Sequence, residues 1–265
     1  MHKIYKMGKK RKTIALALSG GGNRGAVHVG VLYAFDVNNI KIDAISGTSA
    51  GAIIGALYSS GLSARRIKQV LDVQKTTKML HFTLKNGGIA NMKNLKKVLK
   101  ENIKNNNYYN LKNKLFICAS NIDDAEFEIF SEGDLFSHVS ASASVPILFE
   151  PVLINGKHYV DGGLFNNLPI EPLLKNYDII VGVHVNNYKI SSKKNIKTIA
   201  NQIFSMVIKQ NVKRNMAKCD FLINPELDQP YRNFSKKNTD KLFEIGYNAG
   251  INFINENLML QPEID

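Results

Sequence analysis

Cysteine is nearly missing from this chain. Cys118 and Cys219 stand far apart, each in a segment that reads as a strand, with no partner pattern and no metal-ligand spacing. That excludes a disulfide-stapled scaffold and a cysteine-based zinc centre, and leaves buried free thiols as the expectation. Long apolar runs are also lacking. No stretch approaches the roughly 20 residues that a helix needs to cross a bilayer. The apolar run after the basic N-terminus, residues 14–18, is too short for a signal peptide and leads straight into glycines. The chain therefore reads as cytoplasmic, without Sec export. Internal repeats and linker-like stretches are missing too. The expected organisation of the 265 residues is a basic arm over 1–12, one domain over 13–258 and a tail over 259–265.

Acidic residues are scarce: 22 Asp and Glu face 35 Lys and Arg, for a net charge of +13. That sign invites a nucleic-acid or anionic-membrane partner. All but six of the basic residues are lysines, and Asn and Ile are abundant as well, the bias of a compositionally skewed genome. Most of this lysine is read as solvated surface, and no nucleic-acid partner is expected. The cluster Lys9-Lys10-Arg11-Lys12 is the candidate for contact with anionic headgroups.

What the chain does have is a sharp turn at the end of a strand. Residues 42–46 read as a buried strand and 50–60 as a helix of small and apolar residues stopped by Gly61. Between them lies Gly47-Thr48-Ser49-Ala50-Gly51, a G-x-S-x-G sequence in the strand-to-helix context of a nucleophile elbow. A serine on such a turn has strained backbone angles, and its neighbours two residues away need to be free of side chains, which Gly47 and Gly51 are. The alternative is a plain glycine-rich turn with a solvated serine.

A second glycine turn precedes it. Residues 13–18 read as a buried strand, followed by Gly20-Gly21-Gly22-Asn23-Arg24-Gly25 and a helix over 26–37 with an apolar stripe at Val27, Val31 and Phe35. Gly20, Gly22 and Gly25 spell G-x-G-x-x-G, and Asp43 lies near the spacing of a ribose-binding acid, so a dinucleotide-binding oxidoreductase is one reading. Against it, Asp43 falls at the start of the second strand, the wrong end of the sheet for a ribose. The other use of the loop is an oxyanion hole: backbone N–H groups aimed at the oxygen that gains charge when Ser49 attacks an ester. Two parallel strands would bring both turns to one edge of the sheet.

The nucleophile needs a base. His2, His28, His81, His138, His158 and His184 lie in no motif and read as tail or structural residues. Asp161 is better placed, directly after a hairpin over 152–160 with an Asn155-Gly156 turn, and before Gly162 and Gly163. Burial beside an apolar acyl pocket would raise its pKa toward a useful value. Strands alternating with helices give an α/β class with a mainly parallel sheet. The segment 76–113 is the candidate cover for the site.

Taken in order, these motifs resemble the patatin-like phospholipase family. Its G-G-G-x-R/K-G loop is matched by Gly20 to Gly25, its G-x-S-x-G by Gly47 to Gly51 and its D-G-G by Asp161 to Gly163. Ser142, Ser144 and Pro146 match the S-x-S-x-P stretch before the last motif, and Asn166 and Pro169 match residues after it. Ser19, where many members carry Asp, and Asn23 depart from the pattern. The resemblance covers about residues 13–185. It implies a three-layer α/β fold with a mainly parallel central sheet flanked by helices, and a Ser–Asp dyad that needs no metal or cofactor. Ser49 would be the nucleophile, Asp161 the proton acceptor and Gly20 to Gly25 the oxyanion loop, with Arg24 helping to hold it. Gly47, Gly51, Gly162 and Gly163 would support elbow and loop. The implied substrates are phospholipids or other acyl-ester lipids, by a phospholipase A or lysophospholipase reaction, and the same dyad would also serve an acyltransferase. An inactive lipid-binding module remains a third reading.

Overall fold

The computed structural model describes residues 11–76, 92–188, 196–231 and 235–259. The first strand, β1 (Ile14–Leu18), is buried at every position, as a strand covered on both faces must be. Its side chains alternate in size. Leu16 and Leu18 enter the main core, whereas Ala15 and Ala17 join a smaller core on the opposite face. The two faces are thus unequal: bulky residues on one side accept several helices, and alanines on the other admit one closely packed helix.

The further strands are β2 (Ala44–Thr48), β3 (Lys114–Asn121), β4 (Glu126–Phe130), β5 (Val152–Ile154), β6 (Lys157–Asp161), β7 (Ile179–Val183) and β8 (Phe221–Ile223). They bond in the order β5-β6-β3-β2-β1-β7-β8, with β4 also on β3. The run from β3 to β8 is parallel; β4, β5 and β6 are antiparallel additions. The arrangement is therefore the three-layer, mainly parallel α/β sheet expected from the sequence.

The register on β3 brings two strand ends together. Ile117 and Cys118 pair with both β2 and β4, and Ala119 to Asn121 pair with both β4 and β6. A strand has two edges, so β2 and β6 share one of them, running toward each other. β2 ends with Thr48 opposite Cys118, and β6 ends with Asp161 opposite Ala119.

On the bulky face lie α1 (Gly25–Val37), α2 (Ala50–Ser59), α3 (Ala64–Thr76) and α7 (Lys236–Phe253). On the alanine face lies α6 (Ile196–Met216), through Val212. Where a single apolar stripe is expected on α1, its residues from Gly25 to Leu32, with Ala34 and Phe35, are all buried, because α7 and α3 both pack on it. The α1–α7 contact is backbone to backbone. A side chain at Gly246 would collide with the Val27 carbonyl, and one at Gly30 with the Phe243 carbonyl.

Three expectations need correction. Arg11 is not part of a free arm: its guanidinium bonds both carboxylate oxygens of Asp43, which also accepts the Ile14 N–H at 2.9 Å. Burial opposes ionisation of Asp43, but Arg11 and the Ile14 N–H outweigh it and hold the carboxyl below the usual range. Cys219 lies in the turn after α6 rather than in a strand. Of the candidate cover, residues 77–91 lie outside the described residues, and the part beyond them is anchored. There α4 (Lys93–Asn102) puts Leu95 and Leu99 into the main core.

Because α1 carries the glycine loop at its head, its seat on α7 fixes that loop. Gly246→Ala is expected to lower the free energy of urea unfolding by about 1–3 kcal/mol. An unchanged unfolding midpoint would show that the helices can separate at no cost.

Candidate active site

Ser49 stands between β2 and α2 with φ 54° and ψ −117°, a backbone conformation that non-glycine residues rarely take. Its two flanking glycines are steric necessities. A Cβ on Gly47 would sit about 2.5 Å from the Gly51 carbonyl oxygen, and one on Gly51 would collide with the Leu18 carbonyl. The strained peptide is held from outside. The Ser49 N–H donates to Ser142 Oγ at 2.9 Å, and the Ser142 hydroxyl donates to the Cys118 carbonyl at 2.6 Å. Ser142 closes α5 (Leu135–Ser142), whose start is capped by the Asp134 carboxylate on the Ser137 N–H.

Asp161 reaches Ser49 because β6 ends where β2 does. Its N–H donates to the Ser144 carbonyl at 2.8 Å, and its carboxylate accepts the Gly163 N–H at 2.8 Å, with the Ser49 hydroxyl near enough to favour its charged form. The turn then crosses over β3 and β2. Gly162 lies so close to the Cys118 carbonyl that a side chain would collide with it, and Thr48 Oγ1 donates to the Asn166 carbonyl at 2.8 Å. Asp161 is only 3% exposed. That burial pushes its carboxyl from 3.8 up to about 6, against the Ser49 hydroxyl and Gly163 N–H, which favour the charged form.

The glycine loop lies on the other side of Ser49. A Cβ on Gly20 would stand 3.1 Å from Ser49 Cβ. Not every amide of Gly20 to Gly25 is open to a ligand. The Gly20 N–H donates to the Asn167 carbonyl at 3.1 Å, the Arg24 N–H to the Gly21 carbonyl at 3.1 Å, and the Gly25 N–H to the carbonyls of Gly22 and Asn23. The amides of Gly21 and Gly22 donate to nothing among the described residues, and Gly22, at φ +56°, has open space where a side chain would be. The side chains of Asn23 and Arg24 are structural ties. Asn23 donates to the Tyr231 carbonyl at 3.2 Å. Arg24 reaches Asn186 Oδ1 at 2.9 Å and the Pro230 carbonyl at 2.7 Å, and lies over the Tyr188 ring.

Two asparagines one turn apart on α6 complete the frame. Asn211 accepts the Asn167 N–H at 3.1 Å and donates to the Gly163 carbonyl at 3.1 Å. Asn215 donates to the Leu168 carbonyl at 2.9 Å and Asn166 Oδ1 at 3.1 Å. Sequence reasoning missed both, and Asn167 with them. The available signal was a pair of amides spaced by four on the otherwise apolar face of a long helix, where an unpartnered amide would be costly.

The rival constellations do not assemble. Asp43, the candidate ribose acid, is bonded to Arg11 at the entrance of β2, whereas the glycine loop leaves the far end of β1. None of the described histidines bonds Ser49 or Asp161. His28 bonds the Ser19 carbonyl and His138 the Tyr108 hydroxyl, and burial lowers both, and His184, to about 4. His158 pairs with Asp123 on the surface. Among the described residues no group of three or more His, Cys, Asp or Glu is placed to hold a metal, and no helix is long and apolar enough to cross a membrane.

An elbow serine beside a buried carboxylate, with open amides next to it on a three-layer α/β fold, has the outline of a nucleophilic ester hydrolase. The Patatin-like phospholipase family profile matches residues 16–174, which takes in the glycine loop, the elbow and the Asp161 turn. The chain belongs to the patatin-like phospholipase family. Lysophospholipase NTE1 of Pyricularia oryzae is 27% identical over 183 residues, 66% of this chain and 12% of that protein. The human Patatin-like phospholipase domain-containing protein 6 is 32% identical over 179 residues, 60% of this chain and 12% of that protein. The matched part is thus a small fraction of those relatives' length. VipD from Legionella pneumophila shares the fold at a TM-score of 0.57 and 14% identity, over 94% of this chain and 67% of that one. ExoU of Pseudomonas aeruginosa does so at 0.54 and 13%, over 95% and 53%.

The raised carboxyl has a thermodynamic consequence. Between pH 3.8 and about 6 the unfolded chain releases a proton that folded Asp161 retains. This group's contribution is therefore fully present below the lower value and is lost as pH rises through the upper one. Asp161→Asn cannot ionise. Its unfolding free energy is expected to lack this decline, a difference on the order of 3 kcal/mol between about pH 4 and about pH 7. Equal pH slopes for the two proteins, by urea denaturation, would contradict a buried ionisable Asp161.

Proposed function

We propose that this chain is a serine lipid acyl hydrolase of the phospholipase A or lysophospholipase type, acting through a dyad of Ser49 and Asp161. The observation that carries the reading is an elbow serine and a buried carboxylate brought to one point, where β2 and β6 end against each other on β3 and burial pushes the Asp161 carboxyl up to about 6. A carboxylate at its ordinary pKa is a weak base; raised toward neutrality, it is still ionised at pH 7 and accepts a proton more readily. Family membership supports the reaction class, and the relatives' names put glycerophospholipids and lysophospholipids first among substrates to try.

In the proposed sequence Asp161 takes the hydroxyl proton as Ser49 Oγ forms a bond to the ester carbonyl carbon. The carbonyl oxygen becomes an oxyanion and is met by the amides of Gly21 and Gly22, which donate to nothing among the described residues. The positive ends of α1 and α2 add to that field. The C–O bond to the alcohol breaks, Asp161 returns the proton to the leaving oxygen, and the acyl group remains on Ser49. Asp161 then takes a proton from water as its oxygen attacks the acyl carbon; the bond to Ser49 Oγ breaks, Asp161 returns the proton to that oxygen, and the fatty acid leaves. Capture of the same acyl-enzyme by a lipid alcohol would make the reaction a transfer. Tight ties on Ser49, Asp161 and the loop fit a site whose geometry is set before substrate arrives.

The test is hydrolysis of a lipid panel in the presence of chelator. Ser49→Ala and Asp161→Asn, checked for folding by circular dichroism, should each lower turnover at least about a thousandfold. The wild-type rate should rise with pH through about 6 as Asp161 ionises. Near wild-type turnover in either folded variant would overturn the dyad.

A further inference from the structure

Asp161 leaves the sheet from β6 and the glycine loop leaves it from β1, with β3 and β2 between them. No strand pairing joins these two ends. A chain of three hydrogen bonds does. Asn211 on α6 donates from Nδ2 to the Gly163 carbonyl at 3.1 Å, and Oδ1 of the same carboxamide accepts the Asn167 N–H at 3.1 Å. The Asn167 carbonyl in turn accepts the Gly20 N–H at 3.1 Å. The Asn167 side chain fills the space between the two ends. Its Nδ2 lies 3.4 Å from the Gly20 carbonyl, and its Oδ1 would collide with a side chain at Gly20 and lies 2.9 Å from the Cβ position of Gly163. Both ends of the chain of bonds matter to the site. Gly163 is the residue whose N–H donates to the Asp161 carboxylate at 2.8 Å, and Gly20 leads into the amides of Gly21 and Gly22. Asn167 and Asn211 are both buried.

We infer that Asn211 is a positioning residue: it holds the Asp161 turn and the glycine loop at one fixed separation across Ser49, through Gly163 at one end and through Asn167 and Gly20 at the other. This inference rests on the reading of Ser49 and Asp161 as a hydrolytic dyad, which it deepens by naming what keeps proton acceptor and oxyanion donors in step. A carboxamide suits the task because it is planar and carries a donor and an acceptor at a fixed span. Burial makes both ends obligatory, since without Asn211 the Gly163 carbonyl and the Asn167 N–H lose partners that water does not readily replace. A Gly163 released in this way holds its N–H less firmly on Asp161. That N–H favours the charged carboxylate, so loosening it lets the carboxyl rise further. No charged side chain acts on Asp161 among the described residues. Cys118 on β3 feels its charge but is held neutral by burial, and Glu171 acts on Cys118 without acting on Asp161. Ile208 and Asn211 of α6, Ser142 and Ser144 at the end of α5, and Asn167 are uncharged.

The test compares Asn211→Ala with Asn215→Ala in the full chain. Asn215 is a similarly buried amide one turn along α6, and its bonds go to Asn166 and Leu168 rather than to Gly163 or Asn167. Both variants should unfold at lower urea concentration. Only Asn211→Ala should move the loss of stability that accompanies Asp161 ionisation. A folded-state pKa raised further defers that loss, so it should move to higher pH, by up to about one unit. This readout needs no ester. On the lipid panel the acid limb of the Asn211→Ala rate should shift the same way. Its kcat should fall about a hundredfold with KM within about twofold, because orientation rather than binding is lost. If Asn211→Ala does not fold, Asn211→Ser, whose hydroxyl can serve one end at a time, is read by the same criteria. A decline and an acid limb that stay at the wild-type pH would overturn the positioning role. So would the same shift in Asn215→Ala, or a loss carried by KM with kcat unchanged. A wild type that cleaves no lipid, while Asn211→Ala still moves the decline, would keep the hold of Asn211 on Asp161 and sink the hydrolase.

Discussion

Everything at this site depends on two strands that share one edge of a third. β2 climbs along β3 as far as Cys118, and β6 descends along the same edge as far as Ala119. Neither can go further without meeting the other, so both chains must leave the sheet within a residue of each other. β2 leaves through an elbow that presents Ser49, and β6 leaves through a glycine turn that presents Asp161. Their proximity is the result of strand register, which hydrophobic alternation and backbone pairing fix tightly when both faces are buried. No flexible loop has to search for the partner.

Around that junction the polar groups form a closed network. Ser142 bridges the strained Ser49 peptide to the Cys118 carbonyl, Thr48 ties β2 to Asn166, and Asn211 and Asn215 fasten the crossing turn to α6. Each of these groups is buried, so each bond replaces hydration that folding removed, and losing one partner would strand the other. The same burial acts on Asp161 with opposite effect. It cannot be fully compensated by one hydroxyl and one amide, and the residual penalty keeps the carboxyl basic. Stability given up there is what makes the group chemically useful.

The glycines divide by purpose. Gly47, Gly51 and Gly162 are places where two backbones touch and no side chain fits. Gly30 and Gly246 do the same for the helix pair behind the site and thereby seat the loop at the head of α1. Gly22 is different: its surroundings are empty, and what it contributes is an unusual backbone turn and an amide left free.

By itself the sequence determined the α/β class, the elbow at Ser49, the glycine loop and the candidate carboxylate, because each of these is a local demand. A left-handed serine needs glycine neighbours, a strand buried on both faces needs continuous apolar residues, and a hairpin needs Asn-Gly. It also argued against Asp43 as a ribose ligand, since strand direction puts that residue at the wrong end of the sheet. Only the tertiary structure decided which loop amides stay open, because Gly20, Arg24 and Gly25 donate to carbonyls set by the packing of distant segments. The same holds for Arg11, whose charge reads as part of a free tail until Asp43 is found beside it, and for Asn211 and Asn215, whose acceptors lie more than forty residues away in the chain. The direction of the Asp161 shift was expected from the sequence, but its extent depends on how deeply the folded chain buries the carboxyl and on the Ser49 hydroxyl, which comes near only once β6 has met β2.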